Sequence, residues 1–141
     1  MIGTLMAKRA IAGAFDALNA HDLEQFMAGW REDGMFVFPG DIPESGTYQG
    51  KPAVAAWFQR FFEQFPEIGF EIEDVCVRNS FDLVGNNVLA VHWKQRLTNR
   101  EGWTSENSGV TVITVRGGKV AAVRDFLFDT GSTFRRSWGV A

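Results

Sequence analysis

Three side chains in this sequence have the chemistry to move a proton beside an apolar surface: Asp125, His92 and Tyr48. Asp125 lies in Val120-Ala-Ala-Val-Arg-Asp-Phe-Leu-Phe-Asp129, which reads as a strand. Alternation puts Val123, Asp125 and Leu127 on one face and Arg124, Phe126 and Phe128 on the other. If the first face looks inward, a carboxyl stands among aliphatic neighbours. Such a group either holds a structural partner or carries a raised pKa and a task. The catalytic reading makes Asp125 a general acid or base, a role worth typically about 10²–10⁴-fold in rate. The structural reading pairs it with an Arg or Lys of the next strand.

His92 falls in a second strand, where alternation groups it with Ala90, Lys94 and Arg96, opposite Leu89, Val91, Trp93 and Leu97. The expectation is that His92 faces out and that Trp93 and Gln95 face the pocket. A bulge would invert the strand and let His92 couple to Asp125. Tyr48 is the only phenol, able to polarise a carbonyl or epoxide, or simply to sit at a rim. Asp41, in the Gly40–Gly46 loop, is either a ligand contact or a solvated turn residue. Trp30, Phe38, Trp57, Phe61 and Trp93 would line an apolar cavity or form plain core.

The elements that must position these groups follow from periodicity. Ile11, Ala14, Phe15 and Leu18 mark a helix over 4–20. Asp22, with Gln25 three residues on, starts a second helix whose stripe is Leu23, Phe26, Met27 and Trp30, ending near Asp33-Gly34. A short strand, Met35–Phe38, follows. Pro52 opens a third helix bearing Val54, Trp57, Phe58, Phe61, Phe62 and Phe65. From Phe70 the period changes to two, giving strands over 70–79, 88–98, 103–116 and 120–129, the third long enough to bend or bulge. Helices first and an antiparallel meander after them predict an α+β domain. The tail from Thr130, with Phe134 and Trp138, is expected on the outside or against a partner subunit.

Composition narrows the function. The chain has 141 residues, enough for one domain over 1–141, and its 13 Phe and 5 Trp suggest an aromatic-lined cavity, a buried interface or both. A net charge of −3 with no Lys/Arg run argues against nucleic acid. Cys76 is single and reads as a small buried hydrophobe, and the two histidines show no metal spacing, so no metal and no cofactor is expected. Nothing marks export or membrane insertion, which makes a cytoplasmic protein the expectation.

Ordered motifs extend this reading. Leu18-Asn-Ala-His-Asp-Leu23 joins two helices, Phe38-Pro-Gly-Asp41 follows a strand, and Ser45-Gly-Thr-Tyr-Gln-Gly-Lys-Pro-Ala-Val54 opens the third helix. Gly118-Lys-Val and Val123-Arg-Asp-Phe-Leu-Phe-Asp129 close the series. Together they resemble the SnoaL-like, ketosteroid isomerase-like branch of the nuclear transport factor 2-like superfamily over roughly residues 5–130. The resemblance implies a cone-shaped roll: three N-terminal helices on a strongly curved, mixed but mainly antiparallel sheet around one apolar pocket. It also implies a homodimer through the outer sheet face, consistent with Phe126 and Phe128 there.

The resemblance transfers catalytic residues unevenly. The ketosteroid isomerase base, tyrosine and protonated acid correspond to Phe38, Ala14 and Thr111, so that apparatus is lost, with Thr111 left as a pocket residue. Arg124-Asp125-Phe126 resembles the closing Arg-Asp pair of limonene epoxide hydrolases. The earlier strand, Val91-His-Trp-Lys-Gln-Arg96, lacks their second carboxylate. The SnoaL-like cyclases are similar in length and in placing an acid–base residue in an apolar pocket. The resulting expectation is a cofactor-free acid–base enzyme of isomerase, cyclase, dehydratase or hydrolase type acting on a mostly apolar small molecule. Its alternative is a non-catalytic hydrophobic-ligand-binding or dimeric interaction module.

Overall fold

The apolar stripe Ile11, Phe15 and Leu18 seats α1 (Ile2–Asn19) on the sheet, in a computed structural model that describes residues 2–141. Asn19 fixes its far end: the side chain accepts the Phe70 N–H at 2.7 Å and donates to the Phe70 carbonyl at 3.2 Å. The short α2 (Leu23–Ala28) starts where expected, because Asp22 Oδ1 accepts the Gln25 N–H at 3.0 Å and satisfies a free helix-end donor.

That helix stops earlier than its periodicity predicts. The carbonyl of Gly29 accepts the Val120 N–H at 2.8 Å, tying the chain to a distant strand before another turn can form. Trp30, read from sequence as a helix-stripe residue, therefore opens β1 (Trp30–Phe38), opposite Val120. The register shifts between Trp30 and Met35, absorbing the polar Arg31-Glu-Asp-Gly34 run in an irregular stretch.

The Gly40–Gly46 loop leads to β2 (Gly46–Gln49), then α3 (Lys51–Gln64) with Pro52 in its first turn. Val54, Trp57, Phe58, Phe61 and Phe62 of α3 are buried, each such side chain contributing about 1.5–3 kcal/mol. Trp57 stacks on Phe61 with ring centres 5.5 Å apart and meets the edge of Phe36 at 4.7 Å.

The remaining strands are β3 (Glu67–Val77), β4 (Asn87–Thr98), β5 (Thr104–Arg116) and β6 (Lys119–Leu127). The sheet order is β2-β1-β6-β5-β4-β3. Every neighbouring pair is antiparallel except β1 and β6, which run parallel, so the sheet is mixed as anticipated. The long β5 carries no bulge of its own: it pairs with β4 without interruption, and the register shift at Thr114–Val115 leaves the extra residue, Ala121, on β6.

Two sequence expectations are corrected. Cys76 is exposed, not buried. A bulge on β3 between Ile72 and Asp74 moves the inward set to Val75 and Val77 and turns Cys76 outward. The tail does not lie on the outside. It forms α4 (Ser132–Ser137), which turns inward so that Phe134 and Trp138 are buried. Trp138 meets Phe65 edge-on at 5.0 Å, and the buried side chains of Gln64 and Asn99 donate to the Ser137 carbonyl at 2.9 and 3.2 Å. Because those amides lie out of water, their alternative is an unsatisfied buried donor, and this holds α4 in place.

Candidate active site

Between helices and sheet lies a cavity of about 610 Å³, within the usual range for small-molecule sites. The strand register locates the acid within it. Asp125 on β6 stands opposite Thr111 on β5, which stands opposite Val91 on β4. Further along the strands, Asn87, Val115 and Val120 line one end of the cavity, and Gln95, Asn107 and Leu127 line the other. Asp125 is thus near mid-length, with apolar walls around it and most polar groups at the two ends.

Asp125 is held by one chain of hydrogen bonds. Thr111 Oγ1 donates to Asp125 Oδ1 at 2.7 Å, and Trp93 Nε1–H donates to Thr111 Oγ1 at 2.8 Å. The indole can lie there only because position 109 is glycine. A Cβ on Gly109 would stand 2.7 Å from Trp93 Cζ2 and 2.5 Å from the Phe126 carbonyl oxygen. Trp93 is paired across from Gly109, so its ring folds over the bare backbone and reaches the hydroxyl two residues away.

The electrostatics follow. The accessible surface that Asp125 retains opens into the apolar cavity, and protein surrounds the rest of the group. Loss of hydration raises its pKa from 3.8 to about 6, opposed by the Thr111 hydrogen bond, which favours the carboxylate. No Arg or Lys forms an ion pair with it among the described residues. The structural reading, a salt bridge across the sheet, is therefore not how this carboxyl is satisfied. A group titrating near 6 can both take and give a proton near neutrality.

The cavity also receives Trp30, Phe38, Trp57, Phe61, Trp93, Gln95 and Thr111 from the sequence candidates. Three others stand elsewhere. His92 faces the outer side of the sheet, its Nδ1 3.0 Å from Asp74 Oδ2 and its ring 5.8 Å from Phe128. The β3 bulge beside it changes β3 alone, and β4 keeps its alternation, so no coupling to Asp125 arises. Tyr48 donates its hydroxyl to the Glu44 carbonyl at 2.7 Å, which locks it to the loop instead of the cavity. Asp41 is exposed, and its carbonyl accepts from Arg135.

Sequence reasoning missed the contribution of α1, whose Met6, Ala7, Ala10 and Ala14 line the cavity. The small residues at three- and four-residue spacing were the available signal. It also missed Gly109, although a lone glycine within a strand marks a close approach.

The SnoaL-like domain model matches residues 11–123. The chain belongs to the SnoaL-like family. That match ends two residues short of Asp125, so the family assignment covers the container and not its acid. Solved structures agree on the fold. Bal32a, from a soil-derived mobile gene cassette, is 17% identical with a TM-score of 0.79, covering 94% of this chain and 96% of its own. TerC, co-crystallised with polyporic acid, is 18% identical with a TM-score of 0.76, covering 95% and 98%. An NTF2-like protein of Burkholderia pseudomallei is 17% identical with a TM-score of 0.76, covering 92% and 95%. No curated protein matches the sequence at significant similarity. This SnoaL-like chain therefore shares an NTF2-like fold, helices on a six-stranded mixed sheet, with proteins of low sequence identity. Among its described residues, no helix is long and apolar enough to cross a membrane.

Proposed function

We propose that this SnoaL-like protein is a small-molecule enzyme in which Asp125 moves a proton on a mostly apolar substrate. The observation that carries the reading is a carboxyl of pKa about 6 in an apolar cavity, one oxygen tied to Thr111 and the other without a protein partner among the described residues. In the simplest cycle, the carboxylate takes a proton from an acidic C–H or O–H of the substrate onto Oδ2. The neutral acid then returns it to a different atom. The substrate's electron pair shifts between those positions, so bonds rearrange without an oxidant, reductant or cofactor. Isomerisation and cyclisation follow directly, and dehydration or hydrolysis add only water leaving or entering.

The test is a thermal-shift screen of wild type and Asp125→Asn against steroids, terpenoid epoxides, polyketide-like aromatics and fatty acids. Polyporic acid is included because TerC, of the same fold, was co-crystallised with it. One class should stabilise the wild type and be turned over by it, with Asp125→Asn slower by about 10²-fold or more. Turnover by the Asn variant at the wild-type rate would remove Asp125 from the chemistry.

A second reading, a carrier of hydrophobic ligands, is favoured by the placement of His92 and Tyr48 outside the cavity, which leaves Asp125 no ionisable partner at mid-length. A ligand that stabilises both forms equally, with no turnover by either, would support the carrier. Pairing of two copies through the outer sheet face belongs to the same proposal. It rests on Phe126 and Phe128, which stand 48% and 65% exposed, and sedimentation analysis of Phe126→Ser tests it.

A further inference from the structure

The large apolar side chains left exposed are not scattered. Among the described residues, Ile2, Leu5 and Met6 of α1 and Phe81, Leu83 and Val84 of the β3–β4 loop are all more than half exposed, Phe81 reaching 77%. The two segments touch. A Cβ on Gly3 would stand 2.6 Å from the Asp82 carbonyl oxygen, so helix and loop meet backbone to backbone and their apolar residues form one rim. Gly3, Met6, Asp82 and Leu83 also line the cavity, which makes the rim the border of its opening. The loop is braced from behind, since the Gly85 carbonyl accepts the Gly118 N–H at 3.1 Å.

Charge sorts the same way. Over residues 2–10 and 78–86, Lys8, Arg9 and Arg78 stand against the single acid Asp82, while the whole chain carries a net charge of −3. Outward-facing Ile2 and Leu5 followed by Lys8 and Arg9 give the first turns of α1 the makeup of a helix that lies in a lipid interface, apolar residues in the acyl boundary and cations at the headgroups. The opposite end of the cavity is polar, with Gln95, Asn107 and Thr133. At the rim end Asp82 and Asn87 line the cavity, but the border around them is of exposed apolar side chains, so that end turns an apolar surface outward.

We propose that the rim formed by Ile2, Leu5, Met6, Phe81, Leu83 and Val84 docks on a lipid bilayer containing anionic headgroups and seats the cavity opening against it. An apolar molecule dissolved in the bilayer could then enter the cavity without crossing water. The inference does not depend on catalysis by Asp125: a carrier would use the same surface.

Vesicle flotation tests it, with phosphatidylcholine vesicles alone and mixed with phosphatidylserine. The wild type should float with the mixed vesicles, more weakly with phosphatidylcholine alone. Phe81→Ser combined with Leu83→Ser should lower binding about tenfold or more, since two large side chains lose their burial. Lys8→Glu combined with Arg9→Glu should weaken binding to the mixed vesicles selectively, and added salt should do the same to the wild type. Asp125→Asn and Phe126→Ser should bind as wild type does, which separates this surface from the acid and from the outer sheet face. Failure of the wild type to float with either vesicle overturns the proposal. So does a rim variant that turns a sedimenting dimer into a monomer, because the rim would then be a contact between copies of this chain.

Discussion

Thr111 donates its single hydroxyl proton to Asp125 Oδ1 across the β5–β6 pair, and its acceptor side is already occupied by the Trp93 indole N–H. The hydroxyl therefore has one orientation, and Oδ1 is held as an acceptor. A proton on Asp125 must sit on Oδ2, the oxygen free to meet a ligand. Thr111→Val should raise the Asp125 pKa further above about 6, because the bond that favours the carboxylate is gone. It also strands a buried indole donor, at a cost of about 1–3 kcal/mol. Carboxyl carbon NMR titration and urea unfolding check the two effects; an unchanged or lower pKa would contradict the relay.

The pH dependence of stability has a definite sign. The folded pKa of Asp125 lies near 6, above its unfolded value of 3.8, so the folded state holds the proton more tightly. This contribution is fully present below about pH 4 and is lost as the pH rises through about 6, a swing of about 3 kcal/mol. Asp125→Asn carries no charge at any pH. It should melt above the wild type near pH 8, and the gap should close toward pH 4, as followed by circular dichroism melts in matched buffers. A variant less stable than wild type at high pH would show that the carboxylate is a structural partner after all.

Gly109→Ala should damage the site without touching the acid. Its new methyl would meet Trp93 and the Phe126 carbonyl at distances that no side chain tolerates, so the indole must lift from β5. The expected cost is about 1–3 kcal/mol, with a shifted tryptophan emission as the ring leaves its packed position. Wild-type emission and stability would refute the role given to this glycine.

Asn99 and Gln64 tie α4 to the body through the Ser137 carbonyl, and Asn99 also accepts the N–H groups of Glu101 and Trp103 with its Oδ1. Asn99→Ala should destabilise the protein by about 1–3 kcal/mol. Amide exchange should accelerate in Ser132–Ser137, which loses one of its two clamps. Protection unchanged in α4 would mean that Phe134 and Trp138 suffice to hold it.

Much of this architecture was legible because burial imposes a period. On β6, strict alternation put Val123, Asp125 and Leu127 inside and Phe126 and Phe128 outside, as found. On α3, the aromatic spacing alone marks the buried face. What alternation cannot show is a break in itself. The irregular run after Trp30 is set by pairing with β6, far away in the chain, and the bulge at Ile72–Asp74 by pairing with the next strand, β4, whose register no alternation within β3 reveals. For the same reason the inward turn of α4 was invisible: its anchors, Gln64 and Asn99, are distant polar residues with no pattern of their own. Thr111 was named only through the family resemblance, since a threonine on a strand advertises nothing until a carboxyl stands opposite it.

The position of β6 in the sheet also bears on how the chain reaches this state. It is the last strand in sequence, yet it lies between β1 and β5. Before it is laid down, the molecule consists of a β1–β2 ribbon and a β3–β5 meander, each with an open edge that β6 will cover. Its hairpin with β5 is local, but its pairing with β1 spans most of the chain, and contacts of that separation form late and slowly. A chain halted before Lys119 would present two additional sticky edges in place of one continuous sheet. The strand that brings the acid is also the keystone, so the sheet and its cavity carboxyl are completed together.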